Sequence, residues 1–159
     1  MADSQAALRE HVLSLLEGGG AHVKFNDAVA GIPAKLRGVK PEKLDVSPWR
    51  VLEHMRLAQA DILEFCVNRD YREKEFPADY WPSTDAPPDP RAWDKSIKAF
   101  ESDLAEICKL VKNPSTDLYA KIPWGEGQTY LREALLAADH NAYHLGQMIT
   151  VRRLLGAWK

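Results

Sequence analysis

Apolar residues recur at helical spacing along almost the whole chain, and no run alternates apolar and polar residues as a half-buried strand would. Such a chain can bury a core only by packing helix on helix, so an all-α fold is predicted. Four long stretches carry the pattern. Residues 4–17 put Leu8, Val12, Leu15 and Leu16 on one face. Gly18-Gly19-Gly20 interrupt or kink this first helix, because consecutive glycines are costly inside one, and residues 21–30 continue it with Val23, Phe25 and Val29.

The second long helix opens at Ser47-Pro48, a capping side chain followed by a proline at the first helical position. It runs to about residue 68 and buries Val51, Met55, Ala58, Ile62 and Cys66. Asp89-Pro90 opens the third by the same logic, and it continues to about residue 112 through Trp93, Ile97, Phe100, Leu104, Ile107 and Val111. Gln128 or Thr129 caps the last, which reaches about residue 155. Between the second and third helices lies a proline-rich stretch of about 20 residues, 69–89, unusual in a compact domain. Fully extended it spans at most about 66 Å, against about 30 Å for a 20-residue helix, so it can travel the length of a bundle. Tyr71, Phe76, Tyr80 and Trp81 would pin it to the surface on the way. The expectation is a single four-helix-bundle domain over residues 1–159.

At 159 residues the chain can bury a core without staples. Its 21 basic and 23 acidic residues leave a net charge of −2 with no charged block, which gives no electrostatic footprint for nucleic acid. Residues 1–10 are polar and mixed in charge, unlike a secretion signal. No apolar run approaches the roughly 18 residues of a membrane helix, so no membrane partner is expected and a cytoplasmic location is the default. The two cysteines, Cys66 and Cys108, fall within apolar helical patterns and read as core.

On the last helix, Leu131, Leu135, Ala138, Ala142, Leu145 and Ile149 form one apolar face. Leu136, Ala137, Val151 and Leu154 lie opposite, beside His140, His144 and Gln147. Two apolar faces imply burial from two sides, one of them by a second copy, so a homodimer is expected.

His140 and His144 stand four residues apart, one turn plus about 40°, so both imidazoles point the same way and can share one ion. The residue after the first is Asn141, not Glu, so the general base of a zincin hydrolase is missing. A third ligand must come from another helix. His54, near the edge of the second helix's apolar stripe, is the candidate. Neutral imidazoles suit zinc or nickel first, then iron, copper or manganese, and three protein ligands leave positions open for water or substrate. The plain alternative is that these are hydrogen-bonded core histidines. His11 and His22 have no matching partner. Among the carboxylates, Glu53 and Asp139 adjoin histidines and so point about 100° away. Asp61, two turns beyond His54 on nearly the same face, is the better candidate for a catalytic or proton-handling group; the alternative for all three is a solvated helix carboxylate. There is neither a phosphate-cradling glycine loop nor a nucleophile elbow.

Ser47-Pro48-Trp49-Arg50-Val51-Leu52-Glu53-His54-Met55 resembles the second-helix motif of the DinB/YfiT-like superfamily. So does Ala138-Asp139-His140-Asn141-Ala142-Tyr143-His144-Leu145-Gly146-Gln147, followed by Arg152-Arg153-Leu154-Leu155-Gly156, for its last helix. Gly19-Gly20-Ala21-His22 and Pro123-Trp124-Gly125 extend the likeness over nearly the whole chain. The resemblance implies an up-down-down-up four-helix bundle with a long crossover between helices 2 and 3, and His54, His140 and His144 as a metal triad. Relatives of this type include thiol-dependent transferases and isomerases using bacillithiol or mycothiol; others are known only as candidate metal-dependent hydrolases or damage-inducible proteins. Two readings follow. In one, a divalent metal activates a small thiol cosubstrate or a water for attack on an electrophile. In the other, the chain is a non-catalytic, stress-associated metal-binding dimer whose ion holds helices together.

Overall fold

The computed structural model describes residues 2–158, with side chains from residue 4 onward. Five α-helices are present among these residues: α1 (Ala2–Glu17), α2 (Phe25–Val29), α3 (Pro48–Val67), α4 (Ala92–Lys112) and α5 (Tyr130–Leu154), with a single 3-10 turn at Ala34–Leu36. No strand occurs among them, only an isolated bridge between Lys121 and Thr129. No helix is long and apolar enough to cross a membrane. The four long helices form a bundle in which α3 packs on α4 and α5, and α1 packs on the same two helices.

Local chemistry sets the ends of these helices. Ser47 caps α3 by accepting a hydrogen bond from the Arg50 amide at 3.2 Å, and Pro48 follows as the first helical residue. Thr129 does the same for α5 through the Arg132 amide, also at 3.2 Å. Two expected boundaries move. Asp89 accepts from the Arg91 amide at 2.7 Å, but this bond closes a turn, and α4 begins only at Ala92 without a side-chain cap. The glycine run does more than kink the first helix. Gly18 and Gly19 adopt φ of +67° and +88°, a left-handed path that ends α1 outright, and the expected continuation shrinks to the single turn of α2.

The core has two parts. One gathers α2 with the beginnings of α3 and α4 and the end of α5, through Phe25, Trp49, Leu52, Trp93, Phe100, Leu145 and Met148. The other joins α1 to the ends of α3 and α4 and the start of α5, through Val12, Leu16, Ile62, Ile107, Val111 and Ala137. Gln59, only 1% exposed, ties three helices across the middle. Its Nε2 donates to the Phe100 carbonyl at 2.7 Å and its Oε1 accepts from Asn141 Nδ2 at 2.8 Å.

The helical wheel of α5 needs correction. Its buried residues lie on one arc through Ala134, Ala137, Ala138, Asn141, His144, Leu145, Met148, Val151 and Arg152, whereas Leu135 is 41% and Leu154 52% exposed. The arc escaped the apolar pattern because polar groups occupy its centre. Asn141 is bonded to Gln59, and Arg152 donates to the carbonyls of Asp27, Ala28 and Ala157. Buried polar groups are tolerated when paired in this way.

The segment between α3 and α4 is irregular but anchored. The Tyr71 and Tyr80 hydroxyls both donate to Asp61, at 3.1 and 2.6 Å. Trp81 lies on His54, and Ser47 Oγ donates to the Asp85 carbonyl at 2.5 Å. Phe76 is the exception among the aromatics expected to pin it, being 73% exposed. Cys66 and Cys108 are free and buried, and burial pushes the Cys66 thiol up to about 12, which suits core packing.

Candidate metal centre

His54 sits in the second turn of α3, and His140 and His144 sit one turn apart on α5, which packs against α3. His54 and His144 are 5% and 7% exposed, and His140 is half-buried. Their ligating nitrogens all lie within 4.8 Å of one another. His54 Nε2 is 3.0 Å from His144 Nε2 and 3.1 Å from His140 Nε2.

Hydrogen bonds on the far side of two of the rings decide what these nitrogens offer. His54 Nδ1 donates to the Tyr80 carbonyl at 2.7 Å, and His144 Nδ1 donates to Gln147 Oε1 at 2.8 Å. Each ring therefore carries its hydrogen on Nδ1 and presents Nε2 as a lone pair. Two lone pairs 3.0 Å apart repel unless a proton or a cation lies among them. A proton is disfavoured: burial, with the nearby imidazoles adding to it, holds His54 and His140 at about 4, and burial also lowers His144. A divalent cation among the three rings would relieve that repulsion. Tetrahedral nitrogen ligands at about 2.0–2.1 Å from zinc lie about 3.3–3.4 Å from each other. The two separations from His54 need to open by only a few tenths of an ångström, and with all three nitrogens within 4.8 Å of one another the residues could hold a divalent ion.

The support behind the ligands is uneven. Outer partners that orient a ligating histidine matter nearly as much as the ligand itself. His54 has the fullest set, with Tyr80 behind it and the Trp81 indole stacked on its face. On Trp81 rests the Arg50 guanidinium, 5.7 Å from the ring centroid, and this Arg also bonds Asp85 at 3.3 Å. His140 has the least, since its Nδ1 is buried with no hydrogen-bond partner among the described residues.

The histidines line a cavity of about 520 Å³ with Ala58, Asp61, Ile62, Phe76, Tyr80, Trp81, Leu136, Tyr143 and Gln147. Asp61 is thus on the cavity wall, 8% exposed, with its oxygens engaged by Tyr71, Tyr80 and, at 3.4 Å, Lys74. The other two carboxylates stand apart. Glu53 is bonded to Arg56 and accepts from Ser96 Oγ at 2.7 Å, which ties α3 to α4, while Asp139 is exposed. His22 is occupied locally, its Nδ1 donating to the Val23 carbonyl at 2.9 Å.

Tyr80 and Trp81, expected only to pin the crossover, are partners of His54. A backbone carbonyl and a stacking face leave no spacing signature. Gln147 was legible in principle, standing one turn after His144 on the same helix. No family model, curated protein or solved structure matches the chain.

Proposed function

We propose that this chain belongs to the DinB/YfiT-like superfamily and is a metal-dependent enzyme of the thiol S-transferase or hydrolase type. The observation that carries this reading is the convergence of three imidazole nitrogens, two with their lone pairs fixed, on the wall of an accessible cavity. A divalent ion held there, zinc or nickel before iron or manganese, would supply Lewis acidity that lowers the pKa of a thiol or a water. The protein's part is to keep His54 and His144 in one tautomer through Tyr80 and Gln147, and to cover one face of His54 with Trp81. Asp61 is proposed as a positioning residue. It holds the Tyr80 hydroxyl at 2.6 Å, and the carbonyl of that same residue orients His54.

The up-down-down-up order belongs to the same proposal. In its favour, the beginnings of α3 and α4 share one core region with the end of α5, as expected if the long crossover returns the chain to its starting end. A homodimer completes it, along with a cytoplasmic setting that suits two unpaired thiols. Light scattering on the purified chain would return twice the chain mass; a monomer mass removes the dimer. The cavity beside the histidines favours this reading over a purely structural ion, whose coordination shell would be closed.

Elemental analysis tests the core of the proposal. The parent chain should carry about one ion, and His54→Ala and His144→Ala about a tenth of that or less. A turnover screen with several low-molecular-weight thiols and a generic electrophile then tests the chemistry. Unchanged metal content in both variants would refute the site. Full metal content with no thiol or water reaction would leave the structural-ion reading standing instead.

A further inference from the structure

The cavity beside the three histidines is chemically one-sided. The two most exposed large hydrophobic side chains among the described residues, Phe76 at 73% and Tyr143 at 71%, both line it. They come from different parts of the chain, Phe76 from the crossover and Tyr143 from α5 next to His144, whose ring it meets edge-on at 4.9 Å. Ala58, Ile62 and Leu136 continue the apolar wall inward. Large apolar side chains kept in water at one opening form a patch whose burial a ligand can complete.

Charge adds a second constraint. No lysine or arginine lines this cavity, and its one carboxylate is Asp61. The adjoining cavity, which shares Asp61, Ile62, Tyr80 and Leu136 with it, adds Glu73, Glu126 and Glu133 against Arg132 alone. That guanidinium is already bonded to Glu133 at 2.6 Å. Lys74, 3.4 Å from Asp61, is held by that carboxylate and by Glu64 at 3.2 Å. Away from the histidine cluster, a ligand's phosphate or carboxylate therefore meets carboxylates and no unpaired lysine or arginine lining either cavity, an arrangement that discriminates by repulsion.

We propose that this site takes a small molecule with an aryl or alkyl body and no negative charge apart from the atom that meets the histidine cluster. The body would lie against Phe76, Tyr143 and Leu136. This rests on the metal reading above and narrows it to a substrate class. A volume of about 520 Å³ is in the range of pockets for molecules of that size.

The test uses the chain loaded with Co(II), whose visible absorption reports thiol coordination. Benzyl mercaptan, 4-(mercaptomethyl)benzoic acid and 2-mercaptoethanol are titrated in parallel. The neutral aryl thiol should bind at least about tenfold more tightly than its carboxylated analogue, the factor that follows from about 1.4 kcal/mol. Phe76→Ala and Tyr143→Ala should each weaken benzyl mercaptan by about threefold to tenfold, through lost apolar contact, and shift 2-mercaptoethanol by less than about twofold. Equal or tighter binding of the carboxylated thiol overturns the proposal, as does an equal shift of both neutral thiols in the variants. In a second arm, N-phenyl-1-naphthylamine, a neutral aryl fluorophore that needs no ion, is titrated into the metal-free chain. It should bind the parent and lose affinity in Phe76→Ala and Tyr143→Ala. If Co(II) fails to bind while this arm succeeds, the metal reading falls and the apolar cavity stands; if the fluorophore binds parent and variants alike, the cavity assignment falls by itself.

Discussion

The Trp81 indole lies flat on the His54 imidazole, with ring centroids 3.9 Å apart and planes 2° from parallel. The crossover between α3 and α4 thereby supplies one wall of the histidine cluster as well as joining two helices. Trp81→Ala is expected to lower stability by about 2–4 kcal/mol, a large-to-small loss at a partly buried site. It should also weaken metal binding about tenfold, the lower end for outer-shell partners. Competition with a chromogenic chelator measures the second effect. Trp81→Phe, which keeps a stacking ring, should recover most of the affinity; an alanine variant that binds metal like the parent contradicts the role given to the stack.

Asp61 and Tyr80 should behave as one unit. Asp61→Asn and Tyr80→Phe each remove a charge-assisted hydrogen bond and should each cost about 1–3 kcal/mol in urea unfolding. Because they share the 2.6 Å bond, the double variant should lose less than the sum, by about 1 kcal/mol. Additive losses would mean that the carboxylate and the hydroxyl act separately.

The metal-free protein should be acid-sensitive in a defined window. His54 and His140 are held at about 4 in the folded chain by burial, against 6.5 when exposed. Below pH 6.5 the unfolded chain takes up protons on these rings and the folded chain does not until about pH 4. Their effect is absent above that window, and stability falls as pH drops through it. The chelated parent should lose thermal midpoint between pH 6.5 and 4 more steeply than chelated His54→Gln, which has one such ring fewer. Identical slopes in the two proteins would contradict this.

Gly38, in the loop before α3, packs against Ala86 of the crossover. A Cβ at this position would lie 2.8 Å from Ala86 Cα and closer still to its Cβ, so backbone would have to move. Gly38→Ala should therefore destabilise by about 1–3 kcal/mol. Gly146, in the middle of α5, has nothing within 4 Å of such a Cβ, and there the same change should stabilise by about 0.5–1 kcal/mol. Chemical denaturation of the two variants checks both signs.

Much of the fold is legible in the sequence. Ser47-Pro48 and Thr129 mark helix starts because capping is a bond between near neighbours, and the ends near residues 67 and 112 follow from where the apolar period stops. Asp89-Pro90 misled because the same cap can close a turn two residues ahead of the helix. The α5 wheel misled because Asn141 and Arg152 are buried through partners on Gln59 and on the carbonyls of residues 27, 28 and 157, all distant in sequence or outside the helix. Of the candidate carboxylates, Asp61 lies on the cavity wall and Glu53 and Asp139 do not.

By itself, then, the amino-acid order determined that the chain is helical, where most helices begin and end, and that two imidazoles of α5 face the same way. Each of these depends on contacts within a few residues. Tertiary structure decided that His54 meets that pair at 3.0–3.1 Å, that Tyr80 and Gln147 set which nitrogen is free, and that Trp81, Phe76 and Tyr143 shape the space beside them. Those relationships join α3, α5 and an irregular crossover, and no local propensity encodes a distance between segments that meet only when the core closes.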